Sequence, residues 1–189
     1  MTSMIREDRK TIYTVGHSNI QVSQFINLLQ TFKIAVVVDV RSRPFSKYAT
    51  QFNKDQIRQT LSTDNIMYIY MGDLIGGKPK EGIFYDRKGY VMYDRLADSA
   101  SFQTGISRLM KGITRYRIVL MCSEEDPTDC HRRLLIGRVL RERGVDVLHI
   151  RKGGTIQTEK DLNTTEIQLQ PDLFGNQVAP PWRSVQPVL

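Results

Sequence analysis

Cys122, Glu124, Cys130 and His131 fall within ten consecutive positions, in the stretch MCSEEDPTDCHRRLL from Met121 to Leu135. They offer two thiols, a carboxylate and an imidazole. Either cysteine reads as a nucleophile, a metal ligand or a small buried hydrophobe. A thiol at a helix N-terminus is more acidic than usual, which would activate Cys130. The phosphate cradle of a cysteine phosphatase needs an arginine at a fixed short distance after the nucleophile. The corresponding positions hold Thr128 and Ile136, so that pattern is absent. A zinc site would draw on Cys122, Cys130, His131 and His17, but Cys-x7-Cys-His is not a standard zinc spacing. No metal ligand is assigned on that basis, and the cofactor stays unknown.

His131, Arg132 and Arg133 follow directly, at the opening of an expected helix over Asp129–Arg143 with Thr128 or Asp129 as its N-cap. Cations in a first turn oppose the helix dipole at about 0.3–1 kcal/mol each. Free N–H groups at the same end attract anions. An anionic ligand turns both features to advantage. Neutralisation by Glu124, Glu125, Asp126 and Asp129 is the alternative.

The elements that position these groups show in the apolar pattern. Thr11–Val15, Ile34–Val40, Ile66–Met71, Arg117–Met121 and Val145–Ile150 read as strands, and Thr155–Thr158 as an added edge. Val22–Phe32, Lys54–Leu61, Ser101–Ile113 and Asp129–Arg143 read as helices, the last ended by Gly144. Strands alternating with helices predict an α/β fold: a three-layer, mostly parallel Rossmann-like sheet of about five strands with helices on both faces. A single domain over 1–158 is expected, with an extended C-terminal tail over 159–189.

In such sheets ligands bind beyond the carboxyl ends of the strands. There the first strand delivers His17 and Ser18, the second Asp39 and Arg41, and the fourth Cys122 and Glu124. His17 reads as a general acid–base group or as a ring bonded to neighbouring backbone. Asp39 reads as a base or as the holder of Arg41. The expected catalytic set is His17, Asp39, Cys122, Glu124 and Cys130. The expected substrate-binding set is Ser18, Arg41, Ser46, His131, Arg132 and Arg133. Two stretches mix cations with aromatics: Arg41–Phe52 (RSRPFSKYATQF), and Lys78–Arg95 with Phe84, Tyr85, Tyr90 and Tyr93. Such mixtures track phosphates and stack on bases, or pack their rings onto the core. Gly76-Gly77 reads as a hinge of the second stretch, and no dinucleotide or P-loop glycine pattern occurs.

The chain has 189 residues, 27 basic against 20 acidic, for a formal +7. From Glu159 onward there are two basic residues (Lys160, Arg183) and four acidic ones (Glu159, Asp161, Glu166, Asp172), so the tail carries −2 and the rest +9. A basic body favours an anionic partner. No apolar run approaches the roughly 20 residues of a membrane helix, so no membrane partner is expected. Met1 to Lys10 lacks the apolar stretch of a secretory signal, and two cysteines suit a reduced, cytoplasmic chain.

TVGHSN, VDVRSRPFS, the Leu74-x-Gly76-Gly77 segment and MCSEEDPTDCHRRLL resemble the domain-of-unknown-function family numbered 488, over about Tyr13 to Ile150. The resemblance implies an α/β sandwich. It carries over Gly16, His17, Ser18, Asp39, Arg41, Pro44, Cys122, Glu124, Cys130, His131 and Arg132 as motif residues, and supplies no reaction.

The expected function is an enzyme of hydrolase or transferase type acting on nucleic acid or a nucleotide. The alternatives are a non-catalytic nucleic-acid-binding module and a thiol- or zinc-dependent redox protein. Gln170–Phe174, ending in Asp-Leu-Phe, looks like the short peptide that docks on the bacterial sliding clamp, with burial of Leu173 and Phe174 against the domain as the competing reading.

Overall fold

A computed structural model describes residues 10–162 and 182–188. Six strands form one sheet in the order β3-β2-β4-β1-β5-β6. They are β1 (Thr11–Gly16), β2 (Val36–Asp39), β3 (Met67–Tyr70), β4 (Ile118–Cys122), β5 (Asp146–Ile150) and β6 (Ile156–Thr158). All pairings are parallel except β5 with β6, which is antiparallel. The sixth strand is the edge expected near Thr155.

Alternation along the central strands divides the core. Val37, Val119, Met121, Tyr13 and Val15 face α1 (Val22–Thr31) and α2 (Lys54–Thr63), meeting Phe25, Leu29, Ile57 and Leu61. Val36, Val38, Ile12, Ile118 and Leu120 face the other way, towards Phe102, Ile106, Leu135 and Leu140. That second layer comprises α3 (Gly72–Ile75), α4 (Tyr93–Ala97), α5 (Ala100–Gly112) and α6 (Arg138–Glu142). The chain therefore leaves β1 and β2 towards one layer and β4 towards the other. The β1–β4–β2 ends form a switch point, the position at which ligands bind in open parallel sheets.

The helix expected from Asp129 departs from expectation. Asp126 Oδ1 accepts from Thr128 N at 2.9 Å and closes a separate 3-10 turn at Pro127–Asp129. Cys130 is then extended, with φ −117° and ψ 136°. Helical structure starts only after His131, as a π-helical stretch over Arg132–Gly137 running into α6. Neither Thr128 nor Asp129 caps it. Gly144, with φ +77°, ends it in the left-handed region as expected.

Of the segment expected to form a tail, residues 159–162 form a helical turn and Trp182 to Val188 lie against the domain. Trp182 Nε1 donates to the Leu134 carbonyl at 2.6 Å, and Ser184 N donates to Val91 O at 2.9 Å. Gln170–Phe174 lies outside the described residues. Among the described residues no helix is long and apolar enough to cross a membrane.

Candidate functional site

β1 and β4 end side by side, with Gly16 opposite Cys122. Beyond that point the two chains zip together: His17 N donates to Cys122 O at 2.9 Å and Ser18 N to Ser123 O at 2.8 Å. Ser18 is held at φ 46° to make this turn. A Cβ on Gly16 would lie 1.7 Å from the Glu124 carbonyl oxygen, so only glycine admits the Glu124 loop. Arg132 grips that loop from beneath. It is fully buried and donates to the carbonyls of Glu124 at 2.5 Å and Glu125 at 2.7 Å, and to Thr14 Oγ1 at 3.3 Å.

The result is a compact four-residue cluster. One donor atom from each of Cys122, Glu124, Cys130 and His131 lies within 4.8 Å of all the others. Both thiols point at a single carboxylate oxygen, Oε2 of Glu124, from 2.8 Å for Cys122 and 3.2 Å for Cys130. Nδ1 of His131 stands 3.7 Å from Cys122 Sγ and 3.8 Å from Cys130 Sγ. His131 Nε2 is 2.9 Å from the Val40 carbonyl. A carbonyl can only accept, so Nε2 carries the hydrogen and Nδ1 turns its lone pair to the sulfurs. Cys122 and Cys130 are buried, His131 is half-buried and Glu124 is exposed, so the cluster meets solvent through its carboxylate. Two thiols, an imidazole and a carboxylate suit a borderline metal such as zinc, not calcium or magnesium.

Burial pushes the Cys122 thiol well up, helped by its hydrogen bond with Cys130. Burial also raises Cys130, but its hydrogen bond from Cys122, the Arg132 charge and His131 together outweigh burial and hold it well below the ordinary thiol value. For His131, burial is outweighed by the Cys130 sulfur, and its pKa is raised.

A second network adjoins the first. Arg41 donates to both carboxylate oxygens of Asp39, from Nε at 2.9 Å and from Nη2 at 2.6 Å, and to the Phe52 carbonyl at 2.8 Å. Its Nη1 meets Nε2 of His17 at 3.0 Å, while His17 Nδ1 donates to Ser18 O at 2.7 Å. Both ring nitrogens are thus occupied, and Phe52 stacks on the ring at 4.2 Å between centroids. Burial and the Arg41 charge lower the His17 pKa from 6.5 to about 4. The bond of Nδ1 to Ser18 O matches the reading of His17 as a ring bonded to neighbouring backbone. Asp39, fully buried, holds Arg41 and accepts from Tyr68 Oη at 2.7 Å, so of the two readings of Asp39 it takes the holding one.

Arg132 and Arg133 do not face an anion site. Arg132 is spent on backbone carbonyls as described. Arg133 is buried and pairs with Glu159 at 3.1 Å, within a network where His149 Nε2 donates to Glu159 at 2.9 Å and Thr14 Oγ1 bonds His149 Nδ1 at 2.7 Å. The acidic loop is instead neutralised by Arg151, which reaches Glu125 at 2.7 Å and Asp126 at 3.2 Å. Ser46 is a loop fastener: its Oγ accepts from Tyr48 N at 3.1 Å and Ala49 N at 3.2 Å.

The two cation–aromatic stretches differ. In the second, Tyr93 is buried and Phe84 and Tyr85 pack on the core, so those rings are structural. In the first, Phe52 is buried, but Phe45 is 69% and Tyr48 89% exposed, interleaved with exposed Arg43 and Lys47. Lys78 N donates to Ser42 Oγ at 2.9 Å and joins the two loops. Gly77, expected as a hinge, is a packing site against His131.

The family described as domain of unknown function DUF488 matches residues 21–139. The chain belongs to that family. The DUF488 match takes in Asp39, Arg41, Gly77 and the whole Cys122–Arg133 segment, while His17 and Ser18 lie before it. No curated protein and no solved structure matches the chain.

Sequence reasoning missed Tyr68 and the Val40 carbonyl, which carried no signal. It singled out Phe52 and Gly77, but not as the neighbours of His17 and His131.

Proposed function

We propose that this chain is an enzyme of hydrolase or transferase type acting on single-stranded nucleic acid. Its reaction centre is the Cys122–Glu124–Cys130–His131 cluster. One observation carries the reading: the exposed cation–aromatic loop and the reactive cluster are physically joined, through the Ser42–Lys78 bond and the seat of Gly77 on His131. Phe45 and Tyr48 offer flat faces for bases, while Arg43, Lys47, Lys78 and Lys80 follow the phosphates. Glu124, the exposed member, moves the proton between the reacting group and water. Arg41, Arg132 and Arg133 have no part in holding phosphate, because their guanidiniums are occupied within the fold.

The test is anisotropy of a labelled single-stranded oligonucleotide, paired with an assay for cleavage of its phosphoester bonds. Replacing both Phe45 and Tyr48 by Ala should weaken binding by about tenfold or more, since each stacked base contributes about 1–3 kcal/mol. Glu124→Gln should keep binding and abolish cleavage. Equal affinity in the wild type and the double variant rejects the nucleic-acid assignment.

A second reading, a dithiol redox protein, draws on the approach of both sulfurs to one carboxylate oxygen and on the acidic Cys130. It requires a reversible Cys122–Cys130 disulfide, which thiol quantification across a range of glutathione ratios reads directly.

A further inference from the structure

The donor set at the end of β4 is already arranged as a coordination shell. We infer that Cys122, Cys130, His131 and Glu124 bind one zinc-class divalent transition metal, and that Glu124 is its exchangeable ligand. The catalytic use of this metal rests on the enzyme reading above, but its binding does not.

Geometry is the first argument. In a tetrahedron with metal–sulfur bonds of about 2.3 Å and metal–nitrogen bonds of about 2.0–2.1 Å, the sulfur–nitrogen edge is roughly 3.5 Å. The two edges from His131 Nδ1 are 3.7 and 3.8 Å, so metal entry needs only a few tenths of an ångström of movement there. The sulfur–oxygen edges, at 2.8 and 3.2 Å, are hydrogen bonds that must lengthen to roughly 3.5 Å when the thiol hydrogens leave, a movement open to Glu124 as the exposed member.

The outer support is the second argument. A ligating histidine usually donates its other ring N–H to a carbonyl or carboxylate, which fixes tautomer and ring angle. The Val40 carbonyl does this for His131. Gly77 presses on the opposite part of the ring, and Arg132 fixes the backbone that carries Glu124. Cys130 is extended just before the helix, and this places its sulfur beside that of Cys122 despite seven intervening residues. The ligand spacing is unusual because the shell is assembled by a strand end, a 3-10 turn and a π-helical start, not by a compact loop.

Donor chemistry is the third. Two thiolates and an imidazole select zinc, or ferrous or cobaltous ion, over magnesium and calcium. Binding displaces both thiol protons to solvent and changes no oxidation state. Three ligands are buried or half-buried, and Glu124 alone is exposed. Glu124 is therefore the position at which a bound metal would exchange a ligand with water or a substrate oxygen, and the metal would there supply Lewis-acid chemistry.

The experiment uses the full-length, reduced protein freed of metal by a chelator. It is titrated with Co2+ alone, and with Zn2+ alone against a chromophoric competitor. The expected result is a single equivalent bound, with a thiolate-to-cobalt charge-transfer band and the visible bands of tetrahedral cobalt. Cys122→Ser and Cys130→Ser should each weaken zinc binding by more than about a hundredfold, and Glu124→Gln by about tenfold, with the charge-transfer band retained. Zinc should also slow alkylation of both cysteines in the wild type, a readout that needs no variant to fold. Absence of the charge-transfer band in the reduced wild type, or wild-type affinity in the Cys122→Ser/Cys130→Ser double variant, overturns the inference. Metal binding without oligonucleotide binding leaves the metal site standing and removes the nucleic-acid reading. Oligonucleotide binding without metal binding does the reverse.

Discussion

A Cβ built on Gly77 would stand 2.5 Å from Cγ of His131 and 2.7 Å from its Cβ. These are the stiff inner atoms of a ring whose far end is tied to Val40 O at 2.9 Å, so the ring cannot swing aside without breaking that bond. Gly77→Ala should therefore cost about 1–3 kcal/mol and displace Nδ1 from the sulfurs. Gly82→Ala is the control, because a Cβ there meets nothing within 4 Å. Urea unfolding of the two variants should separate them, with Gly82→Ala close to the wild type.

Asp39 is fully buried and Arg41 is 4% exposed, and the two share a bidentate contact. Removing one charge from a buried pair leaves the other uncompensated, at roughly 3–5 kcal/mol. Asp39→Asn should lower stability by that order, and the Tyr68 hydroxyl loses its acceptor charge as well. The denaturation midpoint should fall with an unchanged slope.

His17 makes stability depend on pH in a defined window. Folding lowers its pKa from 6.5 to about 4, first through burial and then through the Arg41 charge. As pH falls, the unfolded chain binds the proton first. The contribution is fully present above pH 6.5 and is lost as pH drops towards 4, by an amount on the order of 3 kcal/mol. Comparing the pH dependence of unfolding in His17→Gln and the wild type isolates this slope. Parallel curves between those limits would exclude it.

Glu159 gathers Arg133, Arg141 and His149, at 3.1, 3.5 and 2.9 Å. Its own pKa is lowered because the His149 hydrogen bond and the two arginine charges outweigh burial. Glu159→Ala should destabilise the domain by on the order of 3 kcal/mol, although the residue stands beyond the last strand. Thermal unfolding of Glu159→Ala against the wild type reads this loss directly.

What the sequence determined by itself was everything carried by short-range periodicity. β-branched runs such as Ile34–Val40 announced buried parallel strands, amphipathic spacing in Val22–Phe32 announced a helix, and strand order with the strand-end rule pointed to His17, Asp39, Arg41, Cys122 and Glu124 as neighbours. The tertiary structure decided what each of those groups does. Charge counted along the chain made Arg132 and Arg133 look like phosphate binders. Packing turned both inward, because the carbonyls of Glu124 and Glu125 and the Glu159 carboxylate lay within reach only after β1, β4 and β5 had come together. The same holds for the cysteines. Their Cys-x7-Cys-His spacing is not a standard zinc spacing, whereas an extended residue at Cys130 and a strand end at Cys122 brought both sulfurs to one oxygen. Local patterns encode which backbone forms. The partners of a polar side chain are set by groups distant in sequence, since a buried donor must bond to whatever acceptor the fold delivers.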